Sequence, residues 1–137
     1  RRIDAPSGPC IPGQLRLFVN VHEQLFPCER VSERSPAMCI GTLDDGFNLE
    51  NAQKILNVGK LTEESCKNCW CFRYCTLCAK KADDGSGQLS AEEKLSHCKE
   101  ARAGAYNQFC EYLLMKEIPI YYAEQVRCRD EKGGFGI

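Results

Sequence analysis

The feature that most constrains this chain is the crowding of cysteines in one short segment. Eleven cysteines occur in 137 residues, and five of them lie within Cys66-Lys-Asn-Cys-Trp-Cys-Phe-Arg-Tyr-Cys-Thr-Leu-Cys78. Cysteines this close together cannot all pair with one another, because neighbouring Cβ atoms rarely reach disulfide geometry. They can converge on a metal ion or an iron–sulfur cluster, which draws several thiolates from one loop. The segment therefore predicts a metal-binding domain.

Length and charge limit the class of protein further. A chain of 137 residues is long enough for one domain with a modest core. Its 18 basic and 19 acidic residues give a net charge of −1, so neither nucleic acid nor a membrane is expected as a partner. The odd cysteine count and the lack of an apolar leader argue against a secreted disulfide scaffold. We expect a cytoplasmic protein and, because the chain begins at Arg1, an excerpt of a longer polypeptide.

The first forty residues predict a β-hairpin. Apolar and polar residues alternate from Leu15 to Val21, which is the period of a half-buried strand with the odd-numbered side chains inward. A polar turn, His22–Gln24, follows. The return strand is expected to stop at Pro27, because proline cannot donate to the ladder.

Helices are predicted after the hairpin. The sequence Asp44-Asp-Gly46 indicates a turn. Asn48 can cap a helix that ends at Gly59. Thr62 and the two glutamates after it begin a short helical turn that delivers Cys66.

The longest predicted helix begins at Ser90, which opens a capping box. It runs to about Met115 with one apolar stripe along it. The stripe consists of Leu95, Cys98, Ala101, Ala105, Phe109 and Leu113. A short element over 118–126 and a flexible glycine-rich tail over 129–137 are expected beyond it. The prediction is a small α+β domain: an N-terminal β-hairpin followed by helices and loops.

Spacing within the cysteine segment indicates how its ligands divide. Cys66, Cys69, Cys75 and Cys78 form two C-x2-C pairs with five residues between them. Structural zinc sites usually place a dozen or more residues between such pairs. In a tight ferredoxin-type run the fourth cysteine can serve a second cluster. We therefore expect the first three to hold one cluster and Cys78 to belong to another.

The remaining ligands must come from elsewhere in the chain. Cys98, in the long predicted helix, is preferred as the fourth ligand of the first cluster, with Cys110 and Cys128 as alternatives. The second cluster would combine Cys78 with two isolated cysteines of the N-terminal part. These are Cys10 and Cys28.

One motif inside the run suggests a catalytic site. Cys71-Phe-Arg-Tyr-Cys-Thr-Leu-Cys78 reads C-x3-C-x2-C, the triplet that binds the catalytic cluster of radical S-adenosylmethionine (radical SAM) enzymes. That motif functions after the first strand of a large parallel α/β barrel. No strand-like stretch precedes it, and residues 79–137 are too few to build a barrel. The context excludes the catalytic interpretation.

Several segments around the cysteines resemble a known domain family. They are Cys10-Ile-Pro-Gly-Gln-Leu-Arg-Leu-Phe-Val-Asn20, Phe26-Pro-Cys-Glu-Arg-Val31, Ile40-Gly41, Gly46-Phe47 and the cysteine run itself. Over about residues 10–100 the chain resembles a SPASM domain, the C-terminal auxiliary-cluster domain of radical SAM enzymes that modify peptides and proteins. The sequence Cys66-Lys-Asn-Cys-Trp70 is most similar to the corresponding segment of maturases of cysteine-rich ribosomal peptides.

The resemblance implies two auxiliary 4Fe-4S clusters with the ligands given above. It implies a domain, 1–137, that serves electron transfer and peptide binding beside its own radical SAM barrel. S-adenosylmethionine would bind only in that barrel, which this chain lacks. The partner would be a cysteine-rich precursor peptide, and the product a thioether or similar crosslink. The chain itself would be a non-catalytic fragment.

This sequence departs from the family pattern at three positions. Glu23 stands where the family has glycine, which implies a different backbone geometry in the hairpin turn. Two residues, rather than three, separate Cys75 from Cys78. Asp4 occupies the place of an occasional additional ligand. The fourth position of the second cluster is therefore left to Cys39, to Asp4 or to an open iron.

Two other functions use the same residues. The chain could be a zinc-binding structural or interaction module, and zinc can also replace iron in protein prepared in air. It could instead be a self-contained electron carrier with no upstream barrel. Metal and sulfide content separates the first of these from the cluster interpretation.

Overall fold

The structure is a computed structural model that describes residues 11–132, with side chains described through Glu124. It has a four-stranded antiparallel sheet followed by helices, so the predicted α+β class is confirmed. The described chain divides into two compact units, one ending at Arg102 and the other beginning at Ala103.

The strands are short and follow one another in the sheet in chain order. They are β1 (Phe18–Val19), β2 (Gln24–Phe26), β3 (Gly41–Thr42) and β4 (Gly46–Phe47). The α-helices are α1 (Leu49–Leu56), α2 (Glu63–Lys67), α3 (Ala91–Ser96) and α4 (Cys98–Lys132). Two 3₁₀ helices cover Val58–Thr62 and Ala79–Ala82.

The predicted N-terminal hairpin is present as β1 and β2, but its buried face is the opposite of the predicted one. Leu15 and Val21, expected inside, are 71% and 92% exposed. The even-numbered side faces inward instead: the Phe18 ring lies 6.2 Å from the Phe26 ring, between centroids, and Asn20 is buried. The prediction of the inward face was wrong, because side chains alternate with a period of two and a shift of one residue inverts the faces.

Asn20 organises the turn between β1 and β2. Its Oδ1 accepts hydrogen bonds from the backbone N–H groups of His22 and Gln24, both at 3.0 Å. Within this turn Glu23 has φ of 61°, in the left-handed region that favours glycine. The altered backbone geometry expected from a glutamate at this position is therefore not found. The turn adopts the conformation that glycine would adopt.

The second hairpin, β3 and β4, was not predicted as strands. The Asp44–Gly46 turn joins them as expected, and Gly46 has φ of 78°. Gly41, opposite Phe47, has φ of 142°, and a Cβ at Gly41 would stand 2.0 Å from the Gly46 carbonyl oxygen. The two strands can approach this closely only because position 41 has no side chain.

The hydrophobic core packs around β2, α1 and the two 3₁₀ helices. Asn48 caps α1 as predicted, with its Oδ1 accepting from the Asn51 N–H at 3.1 Å, and the helix buries Ile55. The core cluster comprises Leu25, Phe26, Ala37, Met38, Ile40, Ile55, Val58, Ala79 and Ala82. The described segment 59–78, which holds the cysteine run, contributes no residue to this cluster.

The long predicted helix begins where expected and is then interrupted. The Ser90 hydroxyl accepts a hydrogen bond from the Glu93 N–H at 3.2 Å, which starts α3. The helix ends at His97, whose ring lies 3.3 Å from the Glu93 carboxylate, and α4 begins at Cys98. Cys98 therefore stands at the start of a helix rather than two turns inside one.

Helix α4 extends beyond the predicted end at Met115. It continues through Pro119 to Lys132, so it includes the element predicted over 118–126 and the first residues of the predicted tail. Residues 133–137 of that tail lie outside the described part of the chain.

The predicted apolar stripe was wrong near both ends. In α3 the buried side chain is Lys94, at 2% exposure, and not its neighbour Leu95. Leu113, expected to be buried, is 58% exposed. Within the second unit, the Lys116 ammonium lies 5.5 Å from the centre of the Tyr112 ring. Among the described residues, no helix has both the length and the apolar character needed to cross a membrane.

Candidate metal centre

Four of the cysteines predicted as ligands line one cavity in the first unit. They are Cys66, Cys69, Cys75 and Cys98, the set predicted for the first cluster. The cavity that they line has a volume of about 40 Å³. We call this feature the four-cysteine cavity. It assembles sulfur atoms from α2, from the loops after it and from the first residue of α4.

Tight turns position the first two of these cysteines, Cys66 and Cys69. Helix α2 ends just after Cys66, and the Cys69 N–H donates to the Cys66 carbonyl at 3.0 Å. The Phe72 N–H then donates to the Cys69 carbonyl at 3.0 Å. Successive turns of this kind bring side chains three residues apart to the same side of the backbone. The C-x2-C spacing is therefore realised as a compact knuckle.

Apolar side chains and one more cysteine complete the wall of the cavity. The apolar contributors are Phe72, Leu77, Leu95 and Ala101. Cys71 is 1% exposed, and its thiol donates to the Ala101 carbonyl at a distance of 3.8 Å from Sγ to oxygen. Burial raises the pKa of Cys71, since removal from water disfavours the thiolate. Cys71 is therefore a buried thiol with its own hydrogen-bond acceptor, and the sequence analysis did not assign it as a ligand.

A buried lysine lies beside the cavity, and sequence reasoning missed it. The Lys94 ammonium donates to the Thr62 hydroxyl oxygen at 3.1 Å and to the Val58 carbonyl at 3.3 Å. The same Thr62 oxygen lies 3.3 Å from Cys66 Sγ. Burial lowers the pKa of Lys94, and the nearby cysteine sulfurs oppose that shift.

An arginine also lines the cavity. The side chain of Arg102 is exposed and hydrogen-bonds to Cys69, which raises the pKa of the guanidinium. Burial raises the pKa of Cys98, and the charge of Arg102 opposes that shift. One signal in the sequence could have found Arg102: it lies four residues after Cys98 in α4, a spacing that repeats on one helical face. Lys94 lies in α3, before the break at His97, so this spacing does not reach it.

The second predicted ligand set lies only partly within the described residues. Cys28 lies in the loop after β2, and Cys78 precedes the second 3₁₀ helix. Cys10 and Asp4 lie outside the described residues. Cys39 lines a different cavity beside β3 and β4, where its thiol donates to the Gly41 carbonyl at 3.3 Å. The second cluster therefore stays a prediction.

The two alternatives to Cys98 belong to the second unit. Cys110 is hydrogen-bonded to the Tyr106 phenol, and that contact raises the pKa of Tyr106. The side chain of Cys128 lies outside the described part of the chain.

The cysteines of the cavity can be compared with the ligands that an iron–sulfur cluster or a zinc ion requires. Each cysteine that the structure describes is a free thiol. In residues 11–132, as far as side chains are described, no three His, Cys, Asp or Glu side chains are grouped as ligands of a metal ion. Four thiolates are the donors of a four-iron cluster and also of a structural zinc ion. The four-cysteine cavity has this donor number, and two cations stand next to its sulfur atoms.

Comparison with known proteins does not place this chain in a family. No family model, no curated protein and no solved structure matches it.

Proposed function

We propose that the four-cysteine cavity binds a 4Fe-4S cluster and that the chain is an auxiliary cluster domain of a cytoplasmic radical SAM enzyme that modifies peptides. The observation that carries the proposal is that four cysteines, including the distant Cys98, line one cavity. Cys98, which the sequence analysis prefers to Cys110 and Cys128, lines this cavity.

The surroundings of the sulfur atoms support a bound anionic group. Four thiolates outweigh the positive charge of an iron–sulfur core, so a loaded centre is anionic. Lys94 and Arg102 place positive charge next to it, which favours thiolates over thiols. The apolar residues of the wall restrict water around the sulfurs. When bound, a cluster of this kind accepts or relays one electron, which is the chemistry that the chain's own side chains lack.

The finer parts of the proposal rest on the resemblance to SPASM domains. They are a second 4Fe-4S cluster on Cys10, Cys28 and Cys78, a cysteine-rich precursor peptide as partner, and a separate barrel that binds S-adenosylmethionine. In this scheme the chain relays electrons and helps to hold the peptide while a thioether or similar crosslink is made elsewhere. The chain alone should have no turnover.

The experiment that tests the proposal is metal and sulfide analysis. The full chain is purified and reconstituted with iron and sulfide in the absence of oxygen, and visible and EPR spectra are recorded. We expect about four irons and four sulfides per chain from the four-cysteine cavity, and about eight of each if the second cluster also forms. Zinc at one or two per chain, without sulfide uptake, would contradict the proposal and support the zinc-binding module.

Cysteine variants assign the ligands. We expect Cys98→Ala to lose about four irons per chain, because the first cluster then lacks its fourth thiolate. Cys110→Ala is the matched control and should keep the wild-type iron content. Cys39→Ala tests the second site: unchanged iron content and spectra exclude Cys39 as a ligand. Iron loss in Cys110→Ala with none in Cys98→Ala would refute the assignment made from the cavity.

A further inference from the structure

The burial of Lys94 requires an explanation beyond packing. Lysine is seldom fully buried, because removing an ammonium group from water is costly unless it is hydrogen-bonded and paired. Lys94 is 2% exposed, and its ammonium reaches the Thr62 hydroxyl and the Val58 carbonyl. Both acceptors belong to the first 3₁₀ helix. A methionine or leucine would fill the same space at lower cost, so the charge itself calls for a role.

The hydroxyl of Thr62 connects this charge to a cysteine. Its oxygen accepts a hydrogen bond from the Lys94 ammonium at 3.1 Å and, while Cys66 is a thiol, another from Cys66 Sγ at 3.3 Å. A hydroxyl oxygen that accepts a hydrogen bond from an ammonium group can still donate its own hydrogen to another acceptor. If Cys66 is a thiolate, that hydrogen can point at the sulfur. The three groups then form a directed chain from ammonium to hydroxyl to thiolate.

We propose that Lys94 is a positioning residue of the metal centre, which orients the Thr62 hydroxyl toward the Cys66 sulfur and stabilises the reduced, more negative form of the bound cluster. The inference rests on the proposed function, since it requires that the four-cysteine cavity holds an iron–sulfur cluster. Reduction transfers one electron to the centre from an external reductant, and no bond is made or broken in the chain. A fixed cation favours the form with the extra negative charge, so Lys94 raises the reduction potential.

The location of Lys94 distinguishes it from the other cation. Arg102 is exposed, so water and salt screen its charge. Lys94 lies out of water, where a charge acts over a longer distance. We therefore expect Lys94 to have the larger effect on the potential, although both side chains approach cysteines.

The experiment is a redox titration of the reconstituted full chain with dithionite, followed by EPR. Lys94→Met removes the charge and keeps much of the volume. We expect it to change the ratio of reduced to oxidised centre at a fixed potential by about tenfold or more, a shift of about 59 mV to more negative potential for one electron. Lys94→Arg keeps the charge and should restore most of the wild-type midpoint. Lys60→Met is the control, because it removes an exposed lysine from the same 3₁₀ helix and should leave the midpoint unchanged.

The outcomes separate the inference from the proposed function. A wild-type chain that takes up no iron and sulfide overturns both. A wild-type chain that loads normally, with Lys94→Met loading equally and titrating at the same midpoint, overturns only the role of Lys94. If Lys94→Met does not load, Thr62→Val serves as the second variant, since it keeps the ammonium and removes the hydroxyl. It should shift the midpoint in the same direction by a smaller amount, and an unchanged midpoint refutes the directed chain.

Discussion

At the scale of single residues, Gly41 decides how closely β3 and β4 can approach. An added Cβ would meet the Gly46 carbonyl oxygen at 2.0 Å, and φ of 142° is unfavourable for any other residue. We expect Gly41→Ala to lower the free energy of unfolding by about 3 kcal/mol or more, because both the overlap and the backbone strain must be relieved. Urea denaturation of the full chain measures the loss.

Two other glycines provide the comparison for Gly41. Gly46 has φ of 78° and open space around it, so Gly46→Ala should cost only about 1 kcal/mol. Gly104 lies inside α4 with open space and no unusual φ, so Gly104→Ala should stabilise that helix by about 1 kcal/mol. Equal losses at Gly41 and Gly46 would show that backbone strain, and not the close approach, dominates.

At the scale of elements, Ser90 fixes the start of α3 and with it the position of Lys94. The Ser90 hydroxyl accepts from the Glu93 N–H, which has no partner within the helix. We expect Ser90→Ala to destabilise the chain by about 1 kcal/mol, as measured by thermal or urea unfolding. Ser90→Asp keeps an acceptor and should unfold near the wild-type midpoint. A loss as large in Ser90→Asp as in Ser90→Ala would argue against the capping role.

Local signals in the sequence were sufficient for several of these elements. The caps and the turn act on backbone groups within three or four residues, so they could be predicted without knowledge of the fold; they are Asn48, Ser90 and Asp44–Gly46. The inward face of β1 could not be predicted in this way. Only two residues of the alternating stretch pair in the sheet, and the side that packs is decided by Phe26 on the neighbouring strand.

The candidate site was predictable to a similar degree. The spacing of Cys66, Cys69 and Cys75 identified three residues of the cavity, because ligands from one loop need only local turns. Cys98 was predicted as the fourth ligand in preference to Cys110 and Cys128, and spacing alone could not decide among the three. Lys94 was missed because it lies next to an apolar residue on the expected stripe, and the break at His97 changes which side chain of α3 is buried.

At the scale of the whole molecule, the hydrophobic core and the four-cysteine cavity are built from different parts of the first unit. The core cluster takes its residues from 25–58 and from 79–82, and the described segment 59–78 adds none. Three of the four cavity cysteines lie in that segment. If the cavity binds metal as proposed, the order of segment 59–78 should depend on that metal, since folding and metal binding are coupled where little apolar surface is buried.

This separation predicts how the metal-free chain behaves in hydrogen exchange. After removal of iron by a chelator, we expect amides near Phe26, Met38 and Ile40 to stay protected and amides of 63–78 to lose protection by about tenfold or more. Reconstitution should restore the protection of 63–78. The matched control is Cys98→Ala without metal, which should resemble the metal-free wild type. Equal loss of protection in core and cysteine segment would mean that the core does not fold without metal.

The chain order of the four-cysteine cavity has a consequence for its synthesis. The strands and most of the core precede the cysteine run, whereas Lys94 and Cys98 follow it. Because domains fold as units while their N-terminal parts emerge first from the ribosome, the sheet can form before any complete site exists. Three sulfur atoms are then present without their fourth partner and without the buried cation. If the cavity binds a cluster as proposed, a growing chain at that stage is open to the wrong metal, and correct loading has to wait until the beginning of α4 has been translated.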